Sequence, residues 1–132
     1  MNGQNDFAAL IARILLALVF VPSGFETITG FGGTVGLIAA EGVPLPQAAA
    51  AIKILIELGC GLLILVGWQT RWAALAFIVF LIVITPIFHN FWAAPEAEKM
   101  MQMINFTKNM GILGAFFLLF AFGPGRFSVD RK

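Results

Sequence analysis

The sequence predicts an all-α membrane protein folded as a four-helix bundle, and its composition and hydropathy support this prediction. Of the 132 residues, 60% are hydrophobic and only 11% are charged, whereas soluble domains carry roughly 25% charged residues. Mean hydropathy is +0.94. Four apolar segments each approach the roughly 20 residues that a helix needs to cross a bilayer. Because no segment alternates with the period of a β-strand, helices are the predicted elements.

The predicted spans are separated by charged residues, glycine and proline, and cover approximately residues 7–28, 48–66, 72–88 and 103–122. We expect the first to be retained as a span, because no basic region precedes it as in a signal peptide. The longest link contains residues 34–41, which we predict to form a short interfacial helix that ends before Pro44. The whole chain, residues 1–132, is expected to form a single transmembrane domain.

Basic residues beside the spans predict the orientation of the chain in the membrane. An even number of spans places both termini on one side, and that side carries Arg13, Arg71, Arg126, Arg131 and Lys132. The links on the opposite side carry only Lys99. Since Lys and Arg accumulate in cytoplasmic segments, both termini are predicted to be cytoplasmic. Arg13 lies inside the first span and is expected to extend towards the cytoplasmic head groups.

Composition also excludes several classes of protein. The net charge of +1, with scattered Lys and Arg, is too small for nucleic-acid binding. The single cysteine, Cys60, cannot form an intrachain disulfide or a cysteine-ligated zinc site. The single histidine, His89, excludes a haem held by two histidines of one chain. No metal site is therefore predicted, although methionines near the fourth span leave copper ligation as an alternative to ordinary packing.

Polar residues within or at the ends of the spans are the candidate functional residues. A charge at the centre of a span costs about 2.5 to 3.5 kcal/mol, so such residues should face protein or water and find partners. All are expected in the half of the bundle that faces away from the termini. Together they predict a substrate or quinone pocket formed by Glu26, Lys53, Glu57, His89, Lys108 and Asn109.

Lys53 and Glu57 are central to this prediction because they lie one helical turn apart on the same face. We expect both to point into the bundle and at least one to pair with Glu26, His89, Lys108 or Asn109. Small residues should allow close helix contacts, and the candidates are Gly59, Gly61, Gly111, Gly114 and Ala115. The alternative is a neutral ion-pair network that fixes helix register and has no other role.

Short motifs spaced along nearly the whole chain resemble those of the DoxX family of small bacterial membrane proteins. They are Pro22-Ser23-Gly24-Phe25-Glu26, Glu41-Gly42-Val43-Pro44, Glu57-Leu58-Gly59-Cys60-Gly61-Leu62, Gly67-Trp68-Gln69-Thr70-Arg71, His89-Asn90-Phe91-Trp92, Lys108-Asn109 and the closing Gly123-Pro124-Gly125-Arg126-Phe127-Ser128-Val129-Asp130. The resemblance implies a multi-pass protein of the bacterial inner membrane. Some members of this family are membrane subunits associated with thiosulfate:quinone oxidoreductase chemistry or with thiol-stress systems.

Taken with the polar residues, this resemblance predicts a membrane component of an oxidoreductase system that handles a quinone or a small redox-active substrate. A quinone needs hydrogen-bond donors, which lysine, histidine and asparagine side chains supply. The chain has no evident intrinsic cofactor, so a redox partner protein is expected besides the lipid bilayer, and a homo-oligomer is compatible with the sequence. Catalytic residues are not assigned. The alternative is a non-enzymatic binding or assembly subunit, or a small-solute carrier.

Overall fold

The computed structural model describes residues 3–131, and helices are the only regular secondary structure in that range. Four helices are long and apolar enough to cross a membrane, which confirms the predicted fold class. They are α1 (Gly3–Thr29), α3 (Pro46–Val66), α4 (Thr70–Phe88) and α5 (Glu96–Phe122). A short helix, α2 (Phe31–Ala40), lies between α1 and α3 close to its predicted position, and a 3₁₀ turn (Phe91–Ala93) follows α4.

The fourth spanning helix begins earlier than predicted. An apolar scan places its start near residue 103, whereas α5 begins at Glu96. Glu96 and Glu98 occupy its first turn, where carboxylates interact favourably with the positive end of the helix dipole. The first turns of α5 are therefore helical but polar, and hydropathy does not detect them as part of the span.

Different segments of the chain lie at the two ends of the bundle. The Asp6 carboxylate, near the start of α1, accepts a hydrogen bond of 3.1 Å from the backbone N–H of Arg126. Both ends of the described chain thus meet at one end, which we call the terminal face. The α1–α2–α3 link and the α4–α5 link lie at the opposite end, which we call the loop face.

Three phenylalanines form the centre of the core and join α1, α4 and α5. Phe77 stacks on Phe116 with ring centroids 4.5 Å apart, and Phe20 lies 4.7 Å from Phe77 and 5.7 Å from Phe116. All three are buried. Tilted and offset-stacked rings are the favoured aromatic geometries, so this cluster fixes the three helices against one another.

Close contact between α1 and α3 is made at glycines, but only partly at those predicted. A Cβ on Gly61 would lie 2.9 Å from Val21, whereas one on Gly111 or Gly114 would meet nothing within 4 Å among the described residues. The prediction is therefore confirmed at Gly61 and wrong at the two glycines of α5. The tightest contact is made by Gly24, which the sequence analysis missed, with a Cβ position 2.7 Å from the backbone nitrogen of Leu58.

The Arg13 side chain is enclosed by protein and leaves no surface for head groups, so that expectation is wrong. Its side chain is fully buried and donates hydrogen bonds to the carbonyl oxygens of Ile64 (3.3 Å), Leu65 (3.0 Å), Pro124 (3.1 Å) and Phe127. The first two carbonyls belong to the last turn of α3, where the regular helical donors run out; Ile64 O also accepts the Gly67 N–H at 3.2 Å. Arg13 therefore ties the end of α3 to the segment that follows α5.

This C-terminal segment, Gly123–Arg131, folds over the terminal face. The backbone N–H groups of Val129 and Asp130 donate to the carbonyls of Val66 and Gly67 at 3.0 and 2.8 Å. Gly67 ends α3 with φ +72°, and a Cβ there would overlap Ser128. Glycine is therefore required at this position by both its backbone conformation and its close neighbour.

Candidate functional site

A large groove opens along the bundle between α1, α2, α3, α4 and α5, with a volume of about 1430 Å³. Its lining includes all six residues of the predicted pocket: Glu26, Lys53, Glu57, His89, Lys108 and Asn109. Residues from four spanning helices therefore face one space. Most of the remaining lining residues are apolar.

Lys53 and Glu57 form an ion pair on one wall of the groove, with 2.6 Å between Lys53 Nζ and Glu57 Oε1. Glu57 is 5% exposed, and the side chain of Lys53 is 27% exposed. Both residues point into the bundle, as the sequence predicts. Helix α1 completes the cluster, because Lys53 Nζ also donates to Thr27 Oγ1 at 2.8 Å and Ser23 Oγ at 3.3 Å.

The predicted partners of this pair are wrong. Its hydrogen bonds go to Ser23 and Thr27, and Ser23 Oγ also donates to Glu57 Oε1 at 2.9 Å; they do not go to Glu26, His89, Lys108 or Asn109. The reason is the close approach at Gly24, which brings this face of α1 against α3. The sequence does indicate this contact surface, because Ser23 and Thr27 lie four residues apart and their hydroxyls therefore share one helix face.

The chain departs from a regular α-helix at this wall. Residues Leu55–Cys60 of α3 form a π-helical turn that contains Glu57. Single π turns inside α-helices are rare and occur frequently at functional sites. No sequence pattern predicted this turn, although Gly59 and Gly61 lie at its end.

The other four predicted residues do not join this cluster. Asn109 Nδ2 donates to Thr85 Oγ1 at 3.3 Å, linking α5 to a fully buried threonine of α4. His89 Nδ1 lies 2.9 Å from Gln102 Oε1. The side chains of Glu26 and Lys108 are exposed. Lys108 makes no hydrogen bond or ion pair with any residue of the range 3–131.

The two lysines of the groove differ in how many of their hydrogen-bond donors are used within the protein. A lysine ammonium has three donors and no acceptor, and Lys53 meets three acceptors at Ser23, Thr27 and Glu57. Its hydrogen-bonding capacity is used within the protein. Lys108 has no such partner among residues 3–131, so its donors are not used within the described part of the chain.

Metal ligation finds no support in the described part of the chain. Residues 3–131 contain no group of three or more His, Cys, Asp or Glu side chains placed to hold a metal ion. The methionines considered as copper ligands, Met100, Met101, Met103 and Met110, are exposed.

Comparison with known proteins agrees with the motifs and the fold. The family model of DoxX matches residues 8–90, more than half of the chain. The chain belongs to the DoxX family. No solved structure matches it.

Named relatives of this DoxX chain include two proteins of Escherichia coli K12. Inner membrane protein YphA is 42% identical over 93% of this chain and 88% of its own length. Inner membrane protein YqjF is 39% identical over 99% of this chain and 95% of its own length. These similarities and the four membrane-length helices support a multi-pass inner-membrane protein.

A more distant similarity extends to eukaryotes. The surfeit locus protein 4 homolog of Schizosaccharomyces pombe is 25% identical over 99% of this DoxX chain and 39% of its own length. The similarity thus covers nearly all of this chain but less than half of the yeast protein.

Proposed function

We propose that this DoxX chain binds a quinone in its groove and presents it to a partner oxidoreductase in the membrane. One observation carries the proposal: a groove with mostly apolar walls is also lined by Lys108, whose side chain makes no hydrogen bond or ion pair with residues 3–131. Binding sites for small apolar molecules typically combine hydrophobic walls with a few polar groups that fix orientation. A quinone carbonyl matches a lysine donor in this setting.

Electron transfer is assigned to a partner protein rather than to this chain. The chain has one histidine and one cysteine, whereas haem and iron–sulfur groups usually need several such ligands. Its proposed contribution is to bind the quinone and to orient its head group. This role also fits the exposure of much of the groove, which leaves room for a second protein.

The Lys53–Glu57 cluster supports a second function, in which the polar residues only hold the bundle together. Lys53 meets acceptors for all three of its donors inside the protein, as a structural network requires. A scaffold or assembly subunit would need this network and would have no use for a free Lys108. The two functions therefore differ in what they predict for Lys108.

The test replaces Lys108 with methionine, which keeps the length of the side chain and removes the charge. We expect quinone retained by the purified protein to fall about tenfold or more, because a hydrogen bond to a charged group is worth about 1.5 to 3 kcal/mol. The measurement is mass-spectrometric quantification of quinone per protein after solvent extraction. Thermal stability in detergent should change little, since Lys108 has no protein partner.

Lys99→Met is the matched control, because Lys99 is exposed on the same helix and does not line the groove. This variant should retain as much quinone as the wild-type protein. Equal quinone content in both variants and the wild type, or no quinone in any of them, would favour the scaffold function. Equal losses in the two variants would show that the effect of charge is not specific to the groove.

A further inference from the structure

We propose that the ligand of the groove is a quinone with one long apolar tail, whose head lies beside Lys108 and whose tail runs along α4 to Trp72. This inference rests on the proposed function and adds the class of ligand and its orientation. It predicts that the tail is bound by the protein rather than left in the surrounding lipid.

The distribution of polar residues sets the orientation. On α4 and α5 the polar lining residues lie towards the loop face, where Asn109 is bound to Thr85. On the facing wall Glu57 lies near the middle of α3, where its carboxylate is already bound to Lys53 and Ser23. From Thr85 to Trp72, thirteen residues nearer the terminal face, every lining residue of α4 is apolar. At a rise of about 1.5 Å per residue, this wall is roughly 20 Å long. A polar head therefore fits at the loop face, and an apolar tail fits along this wall of α4.

The size of the groove also indicates a long ligand. Pockets for ordinary small molecules measure about 300 to 1,000 Å³, whereas this groove measures about 1430 Å³. A quinone ring alone would fill only the polar end. A tail along α4 would cover apolar lining that the ring cannot reach.

The groove is open on its side, which provides a route of entry. Ile52, Val79 and Val83 line it and are each more than half exposed. Because these residues belong to membrane-spanning helices, their exposed surfaces face lipid. A tailed quinone dissolved in the bilayer can therefore enter sideways without its tail passing through water.

The free energy of moving the tail from lipid into the groove determines which quantity an experiment should measure. Lipid tails are as apolar as the protein wall, so moving a tail from lipid into the groove yields little hydrophobic free energy. Tail length should consequently have a weak effect on affinity in bilayers. The position of the tail is the informative quantity.

Trp72 can report that position, because it lines the far end of the groove and is exposed. The experiment uses the full chain with Trp68→Phe and Trp92→Phe, which leaves Trp72 as its fluorophore, reconstituted in phosphatidylcholine vesicles. The probes are a quinone with bromine at the end of a long alkyl tail and the same quinone with bromine next to the ring. A phosphatidylcholine brominated at matching depth measures quenching by bulk lipid.

We expect the tail-end bromine to quench Trp72 at least about twofold more than either the ring-adjacent bromine or the brominated lipid. Lys108→Met should remove this excess by releasing the head. Ala76→Leu should also reduce it, since Ala76 lines the groove one turn from Trp72 and leucine would obstruct the tail. Quinone retained by Ala76→Leu should stay near the wild-type amount, because the head site is unchanged.

Three outcomes would overturn the proposal. Equal quenching by both quinones, with quinone still retained, would show that the head binds but the tail does not follow α4, and the proposed function would stand. Equal quenching by the brominated lipid and the tail-labelled quinone would identify ordinary lipid as the occupant of this wall. If the wild-type protein retained no quinone at all, that result would contradict the proposed function and this inference together.

Discussion

Arg13 shows how a single buried charge can organise one end of a membrane bundle. Its guanidinium has five donors and is surrounded by carbonyl oxygens from the end of α3 and from the C-terminal segment. The Asp130 carboxylate adds a favourable charge and accepts hydrogen bonds from the backbone N–H groups of Gln69 and Thr70 at the start of α4. One arginine thus satisfies carbonyls that belong to two different segments.

Replacing Arg13 with methionine should lower the free energy of unfolding by about 3 kcal/mol, because buried carbonyls would lose charged hydrogen-bond donors. Unfolding in detergent micelles with increasing sodium dodecyl sulfate measures this change. Arg126→Met is the matched control, since the exposed Arg126 uses its backbone N–H, and not its guanidinium, to bind Asp6. The control should stay within about 0.5 kcal/mol of wild type. Similar losses in both variants would contradict the role assigned to the Arg13 side chain.

The error at Arg13 has a clear physical cause. Sequence position places an arginine two turns inside the first span, and the usual solution for such a residue is to extend to the head groups. The acceptors that hold it instead come from residues more than fifty and more than a hundred positions away. No local pattern reports contacts at such separations. By contrast, Lys53 and Glu57 are only four residues apart, so their shared face follows from spacing and its inward orientation from the cost of charge in a span.

At the scale of the elements, the contact between α1 and α3 determines the geometry of the polar cluster. Gly24 of α1 lies against the backbone of the π-helical turn at Leu58. The absence of a side chain there allows Ser23 and Thr27 to reach Lys53 and Glu57. The sequence predicted that glycines would mediate helix contacts but could not select among them, because a glycine facing lipid and a glycine facing a helix look alike in sequence.

Gly24→Ala should therefore destabilise the protein by about 1 to 3 kcal/mol, the usual cost of overpacking. The added Cβ would lie 2.7 Å from the Leu58 nitrogen and 2.9 Å from its Cβ, so the helices must separate. Gly111→Ala is the control, because its Cβ would meet nothing within 4 Å and alanine favours the helix by up to about 1 kcal/mol. Thermal unfolding in detergent should rank the control at or above wild type and Gly24→Ala below it. The reverse order would show that this contact is looser than the structure indicates.

At the scale of the whole molecule, hydropathy was sufficient to predict four spans, and the glycines and prolines of the first link predicted the short helix between the first two. Each span is long enough for its composition to dominate local effects, and the bilayer removes alternatives to the helix. The fold of the C-terminal segment over the terminal face could not be predicted in this way. That segment is short and irregular, and its position depends on Arg13, Asp6 and Gly67 together.

Both termini are predicted to lie in the cytoplasm, and the structure changes the argument for this orientation without reversing it. Arg13 is buried among carbonyls, so it should not be counted as a charge beside the membrane. Arg71 and Arg126 remain exposed at the terminal face, and Arg131 ends the C-terminal segment, against Lys99 in the first turn of α5 at the loop face. Lys132 lies outside the described residues and follows Arg131 in the sequence. This asymmetry still favours a cytoplasmic terminal face.

A reporter enzyme that is active only in the periplasm should show little activity when fused after Lys132, and high activity when inserted in the α2–α3 link. A cytoplasm-active fluorescent fusion after Lys132 should be bright. Strong periplasmic activity of the C-terminal fusion would invert the orientation and place the polar end of the groove on the cytoplasmic side.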